Sequence, residues 1–324
     1  MKNNLDCDHK GANTFLFSAT DYISGKNFPI QKCGACGLTV TGLSDEENPV
    51  FSTDFYPDDY YGEQNRYKFI LGKVLDILVK HRAALLGSHA SGNSGAVLDI
   101  GCGQGWFLKR FADQGWNAVG VEVSPSAAFH AREILNLDVH VGQTALESLD
   151  DDSFDVVCLW HVLEHVTEPK KILTDAARLI KSSGRLLLSV PNFGSAEARF
   201  GKANWFHLDV PRHVVHFTEE SLFEMLEDTG WVLEKKSYFV PEYDFFSFIQ
   251  TGQNLCGLET NLLYRLLRSG ELKKHGENKT SFWQKLLAVC SFPIFALASV
   301  IWVPIAIATN QGSSVNLVLN RKPC

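Results

Sequence analysis

The side chains and glycines able to do chemistry gather between Asp99 and His216. Asp99-Ile-Gly101-Cys-Gly103-Gln-Gly105 is a glycine-rich loop between a strand-like run, Ala96 to Ile100, and a helical pattern that begins at Trp106. Glycine lets a backbone turn sharply and approach a ligand where a Cβ would collide. The spacing is G-x-G-x-G, not the G-x-G-x-x-G of the dinucleotide fingerprint. Glu122 ends the next strand-like run, and an acid there could accept hydrogen bonds from both hydroxyls of a ribose. Five histidines follow in two groups, His161 and His165, then His207, His213 and His216. Imidazole titrates in the range needed to take a proton from a hydroxyl. His213 and His161 are the first candidates for a general base, with His165 beside them. Any one of the five could equally cap a loop or bond a neighbour.

These residues need a scaffold that brings them to one edge. Strand-like runs at Ala96–Ile100, Asn117–Glu122, Asp138–Val141, Phe154–Trp160 and Arg185–Val190 alternate with helical patterns. Ser124-Pro125 supplies an N-cap and a first-turn proline for one helix, and Pro169 starts another. Phe154–Trp160 is almost wholly apolar, as a strand covered on both faces should be. The alternation predicts an α/β fold with a parallel sheet and right-handed crossovers. Ligands of such sheets sit beyond the carboxyl ends of the strands, where both histidine groups fall.

The stretch from Val97 to Val190 resembles the class I S-adenosylmethionine (SAM)-dependent methyltransferases, which have a Rossmann-like seven-stranded sheet. Asp99 to Gly105 matches their first motif, whose backbone cradles the methionine part of SAM, and Glu122 matches their ribose-binding acid. Gly142-Gln-Thr144-Ala-Leu146-Glu147 falls where members place groups around the adenine, although it departs from their usual G-D-x pattern. Ser153-Phe-Asp155-Val-Val and Trp160-His-Val-Leu-Glu-His165 match the fourth-strand motif. The match continues through Pro191-Asn192, Trp205 and Asp209-Val-Pro-Arg-His213 to Thr218. The resemblance implies SAM held by Asp99, Gly101, Gly103, Gly105, Glu122, Thr144, Leu146 and Trp160. It implies an acceptor near Asn192, Trp205, Arg212 and His216, with Arg212 suited to an anionic group and Trp205 to stacking. The branch resembled contains quinone and natural-product methyltransferases.

Three metal readings arise. His161-Val-Leu-Glu-His165 fits the H-x-x-E-H pattern of some zinc peptidases, but the strand-to-turn context explains the same residues better. Some quinone O-methyltransferases resemble this region and use a divalent cation on Glu-x-x-Glu-His. Here His161 replaces the first Glu, which disfavours magnesium, an ion that prefers oxygen ligands. Near the N-terminus, Cys33-Gly-Ala-Cys36-Gly reads as a knuckle able to turn two thiolates toward one ion. Cys7 and His9 are the available partners for a four-ligand structural zinc site. A metal-free remnant of such a module is the alternative.

The C-terminal part bears on the acceptor. Leu286 to Ala308 carries no charge and is long enough to span a bilayer. Pro293 and Pro304 should interrupt its helix. Trp231 to Val240 and Ser314 to Leu319 read as the sixth and seventh strands, an antiparallel pair, so the chain should enter and leave the apolar segment on one side. Phe245-Phe-Ser-Phe-Ile249, and Leu262–Leu267 with Arg268, Lys273 and Lys274, mix aromatic, apolar and basic residues as interfacial helices do. Residues 241–312 are therefore expected to be a helical insertion in the membrane interface, or else a lid or dimer contact.

Four parts result: a zinc-binding module over 1–45, a methyltransferase domain over 46–240, the insertion over 241–312, and the last strand and tail over 313–324. The net charge of -7 over 324 residues argues against a broad nucleic-acid surface. Scattered cysteines and a polar N-terminus fit a cytoplasmic protein, peripheral on the inner membrane face. The expected activity is methyl transfer, favoured to oxygen, onto a lipid-soluble or lipid-linked acceptor. A soluble sugar or natural-product acceptor is the alternative. A silent SAM-fold scaffold and a dehydrogenase are the readings from other classes.

Overall fold

The computed structural model describes residues 13–44, 68–90, 94–241, 243–268 and 280–322. Its centre is a seven-stranded sheet built from β4 (Ala96–Ile100), β5 (Asn117–Glu122), β6 (Asp138–Val141), β7 (Phe154–Trp160), β8 (Ile180–Pro191), β10 (Trp231–Ser237) and β11 (Ser314–Arg321). The order is β10-β11-β8-β7-β4-β5-β6. β4, β5, β6, β7 and β8 pair in parallel, while β11 lies antiparallel between β8 and β10. The last two strands form the expected antiparallel pair, and the last one lies inside the sheet, between β10 and β8.

Burial explains the strands. Val156, Val157, Cys158 and Leu159 are each fully buried, so β7 is covered on both faces. The helices around the sheet include α1 (Lys68–Leu85), α2 (Trp106–Ala112), α3 (Pro125–Phe129), α4 (Pro169–Leu179) and α6 (Glu219–Asp228). Ser124 caps α3 by accepting from the Ala127 amide, with Pro125 in the first turn. Thr218 and Ser221 form a capping box at α6. The fifth strand is longer than the expected Arg185–Val190: α4 runs directly into β8 at Ile180, which pairs with Phe154, and an added Cβ at Gly184 would meet the Phe154 and Asp155 carbonyls at 3.0 Å.

The described N-terminal residues are not a separate unit. β1 (Thr14–Thr20), β2 (Asn27–Lys32) and β3 (Thr39–Thr41) form a second sheet, and its fourth strand, β9 (Val215–His216), comes from the central part. β3 pairs with β9 through Thr39–His216 and Val40–Val215. Val40 and Val215 join the main core.

Between β10 and β11 lie α7 (Asp244–Leu255), α8 (Leu262–Arg268) and α9 (Phe282–Ala308). α9 runs unbroken through Pro293 and Pro304, contrary to the expected interruption. It packs on α7: Gln253 donates to the Ala288 carbonyl at 2.7 Å and to Ser291 at 3.0 Å, and Phe248 stacks on Trp302 at 5.6 Å.

Candidate active site

The cofactor half is built where β4 and β5 end. Gly103 donates its amide to Glu122 Oε2 at 2.7 Å, and Ser124 donates to Oε1 at 2.8 Å. Loop and acid form one unit. Glu122 is buried, which pushes its carboxyl upward, and the two amides pull it back. Two bonded amides leave carboxylate lone pairs for a ribose. Gly103 has φ +55°, and a Cβ added there would meet no atom within 4 Å. It therefore borders open space. Gly101 and Gly105 are glycine for another reason. A Cβ at Gly101 would come within 2.5 Å of Val162, and one at Gly105 within 2.7 Å of Leu137. Those glycines let the loop close against the turn after β7 and the segment before β6. The glycine cradle over Glu122 fits the methionine and ribose parts of SAM.

The other expected cofactor residues divide. Asp99 is buried, and burial pushes its carboxyl up to about 7, against the opposing pull of Arg82. Arg82 also sits 4.4 Å over the Trp160 ring, so one guanidinium serves both Asp99 and Trp160. Thr144 is exposed on a short helical turn, Gln143–Ser148, whereas Leu146 belongs to the core.

The acceptor half is a cluster of histidines around Glu164. His161 ends β7 in a left-handed conformation, φ +54°. Its Nδ1 lies 3.2 Å from Glu164 Oε1 and its Nε2 3.2 Å from Ser189 Oγ. Asn316 Nδ2 donates to the Phe239 carbonyl, which turns Asn316 Oδ1 to accept the Ser189 hydroxyl at 2.7 Å. Ser189 Oγ must therefore accept from His161 Nε2–H, leaving Nδ1 to share a proton with Glu164. Burial raises the Glu164 carboxyl and so favours that shared proton. Both His161 nitrogens are thus engaged within the protein.

His213 and His165 are arranged differently. His213 Nδ1 lies 2.7 Å from the His207 carbonyl and His165 Nδ1 lies 2.9 Å from the Arg212 carbonyl. A carbonyl only accepts, so each Nδ1 carries the proton and each Nε2 presents its lone pair. His213 Nε2 faces Glu164 at 4.0 Å and Asp209 at 3.9 Å. Burial holds both imidazoles neutral, with each pKa lowered to about 4 despite the nearby carboxylates. Ligand atoms of Glu164, His165 and His213 lie within 4.8 Å of one another. That nitrogen-rich set could hold a borderline divalent ion such as zinc better than magnesium.

The four expected acceptor contacts are placed otherwise. Arg212 is fully buried, donating to Asp21 at 2.9 Å and Asp209 at 2.7 Å, with its guanidinium 4.5 Å over Tyr22. Its charge is matched inside the protein and is not offered to a ligand. His216 is buried and bonds Thr41 Oγ1 at 2.9 Å. Asn192 closes a loop, donating to the Gly312 carbonyl and accepting from Gly194. Trp205 is buried and packs 5.6 Å from His207 and 6.1 Å from Phe193. The structure instead brings His207 and Tyr243 to His161, with ring centroids at 6.2 and 4.6 Å. His207 Nε2 is buried with no partner among the described residues. Tyr243 carried no signal in the sequence, and Glu164 was visible only as the acid of His161-Val-Leu-Glu-His165.

Cys7 and His9 lie outside the described residues, as do Lys273 and Lys274. Cys33 and Cys36 flank a turn in which the Gly37 amide donates to the Cys33 carbonyl at 2.9 Å, with Gly37 at φ +77°.

A Rossmann-like sheet of this order, with a glycine cradle and a ribose acid at the ends of its first two strands, defines a class I SAM-dependent methyltransferase. The chain matches the family described as methyltransferase domain over residues 72–236, and it belongs to that family. A ubiquinone biosynthesis O-methyltransferase of Coxiella burnetii is 31% identical over 162 residues, 48% of this chain and 65% of that protein. One from Ruegeria sp. is 32% identical over 146 residues, 41% of this chain and 59% of that protein. The chain thus spans less than two thirds of the length of these relatives. Among solved structures, a Haemonchus contortus phosphoethanolamine N-methyltransferase with S-adenosylhomocysteine aligns with TM-score 0.52 at 16% identity, covering 87% of this chain and 61% of that one. A Haloferax volcanii complex of the activator Trm112 with its methyltransferase aligns with TM-score 0.50 at 16% identity, covering 82% and 98%. Both support the fold alone.

Proposed function

We propose that this enzyme O-methylates a lipid-soluble, quinol-like acceptor in the cytoplasm, in peripheral contact with the inner membrane face. SAM supplies an electrophilic methyl on a sulfonium. The protein's part is to align donor and acceptor and to take the hydroxyl proton. The observation that carries the reading is the orientation of His213. Its Nδ1–H is held by the His207 carbonyl, so Nε2 is a neutral acceptor. The proton of the acceptor hydroxyl would pass to that Nε2 as the oxygen–methyl bond forms and the sulfonium–methyl bond of SAM breaks, leaving S-adenosylhomocysteine. Glu164 and His161 orient the cluster, and the rings of Tyr243 and His207 offer walls to a flat acceptor. The names of the O-methyltransferase relatives support a quinone-like ring, and the charge-free stretch Leu286–Ala308 of α9 supports lipid solubility. Structural zinc on Cys33 and Cys36, completed by Cys7 and His9, belongs to the same proposal.

The test is methyl transfer from labelled SAM to short-chain catechols. His213→Ala is expected to lower kcat roughly 10²–10⁴-fold with SAM affinity unchanged. Under the base reading, His161→Ala should cost less than His213→Ala. Label in the organic phase of a host extract supports the acceptor class; label confined to the aqueous phase moves the assignment to a soluble acceptor. Full activity of His213→Ala would remove His213 as the base.

A further inference from the structure

The described surface holds one large feature that the chemistry of the site leaves unused, the outer side of α9. Leu287, Ile294, Leu297 and Ile301, spaced three to seven residues apart, form a stripe on which each side chain is more than half exposed among the described residues. Only 17% of the helix's most apolar 18-residue window is buried. A core helix would be mostly covered, and an apolar stripe of this length in water is strongly unfavourable.

We infer that the outer face of α9 docks into a lipid bilayer, with the helix lying in the plane of one leaflet and not crossing it. Three observations point to this occupant and this geometry. First, past Lys285 the helix offers a partner protein no charged side chain to recognise. From Leu286 to Ala308 it has no charged residue. Its hydroxyls turn back on their own backbone, Ser291 to the Leu287 carbonyl and Ser299 to the Ala296 carbonyl, each at 2.7 Å. Thr309, just past its end, does the same to Ile305 at 2.8 Å. Protein interfaces carry a polar rim and intermolecular hydrogen bonds; a lipid-facing surface must satisfy its polar groups internally.

Second, α9 is fastened along its length. Gln284 accepts from the Glu259 amide near one end at 3.2 Å, Gln253 binds at Ala288 and Ser291, and Phe248 stacks on Trp302. At the other end Gln311 accepts from Arg199 at 2.6 Å, and β11 enters the central sheet. A helix of about 40 Å held flat against a water-soluble body at both ends cannot cross a bilayer. Third, Pro293 and Pro304 remove the amides that would bond the Val289 and Val300 carbonyls. An in-plane helix keeps those carbonyls within reach of interfacial water and headgroups.

Docking needs no acceptor, so it stands apart from the proposed reaction; it rests on that reading only for the acceptor's route. α7 links the two, with Phe248 against α9 and Tyr243, just before its first turn, against His161.

The experiment is flotation of purified full-length protein with phosphatidylcholine vesicles containing a minority of phosphatidylglycerol. Wild type should float. Leu297→Glu and Ile301→Glu, both at exposed positions, should each weaken binding by roughly ten-fold or more. Ile77→Glu, at an exposed apolar site on α1, should leave binding unchanged. Methylation of a water-soluble catechol should be unaffected by all three. With Cys256 and Cys290 changed to serine, cysteines placed by Thr280→Cys and Thr309→Cys should both react with a membrane-impermeant maleimide on vesicle-bound protein. Failure of wild type to float, or a dimer in solution that Leu297→Glu dissociates without any vesicle binding, overturns the inference. Labelling at only one of the two cysteines overturns the in-plane geometry. Flotation without catechol methylation would leave docking standing and defeat the acceptor reading alone.

Discussion

At Gly103 two demands meet in one residue. The backbone is left-handed, and the space above the Cα is open. Gly103→Val would strain the backbone, since a β-branched residue at positive φ is a genuine outlier, and would fill the cradle over Glu122. SAM affinity in calorimetry is expected to fall on the order of a hundred-fold. Gly101→Ala should behave differently, because its methyl strikes Val162 and not open space. It should lower the unfolding temperature of the cofactor-free protein as well as weaken SAM binding. Unchanged SAM affinity in Gly103→Val would displace the cofactor from this loop.

At the scale of elements, the contact between α5 (Ala196–Gly201) and α7 turns on one buried acid. Glu197 Oε1 accepts from Ser247 and, at 2.9 Å, from Thr251. Burial pushes its carboxyl up to about 7, outweighing those hydrogen bonds. An acid whose folded pKa is raised contributes stability that is present below its unfolded value, near 4.5, and is lost as pH rises through about 7. Glu197→Gln keeps the acceptor oxygen and cannot ionise. The unfolding temperature of wild type should therefore drop relative to the variant between pH 5 and pH 8, with the curves converging toward acid. Parallel curves over that range would mean that Glu197 ionises in the fold without cost. Such a device was invisible in the sequence, where Glu197 and Thr251 are 54 residues apart. The strands themselves were legible, because apolar runs bounded by glycine and proline report burial locally. The cofactor loop was legible for the same reason, being contiguous. The histidine roles were not: the inward turn of His161 depends on Ser189 and Asn316, 127 residues apart, and the loss of Arg212 as an acceptor contact depends on Asp21, 191 residues before it.

That last pair governs the molecule as a whole. Arg212 reaches from the loop before β9 to the N-terminal sheet, where Asp21 receives it with a carboxylate already bonded to the amides of Ile23, at 3.1 Å, and Ser24, at 2.8 Å. The Arg212 carbonyl in turn holds His165 Nδ1, and Thr41 of β3 donates to the His213 carbonyl at 2.7 Å. The N-terminal sheet therefore fixes the backbone on which the acceptor-side histidines stand. Both ends of the Asp21–Arg212 pair are fully buried, so removing one charge leaves the other short of a partner in a poor solvent for ions. Asp21→Asn is expected to cost roughly 3–5 kcal/mol of stability and to lower kcat through the histidines while SAM affinity is kept. Because β9 belongs to the N-terminal sheet and its loop to the site, urea should unfold both sheets in one transition, before and after the substitution. A loss under about 1 kcal/mol, the range of an exposed pair, or a separate early transition for the N-terminal sheet, would show that the two sheets are joined by packing alone and that the histidines stand without Asp21.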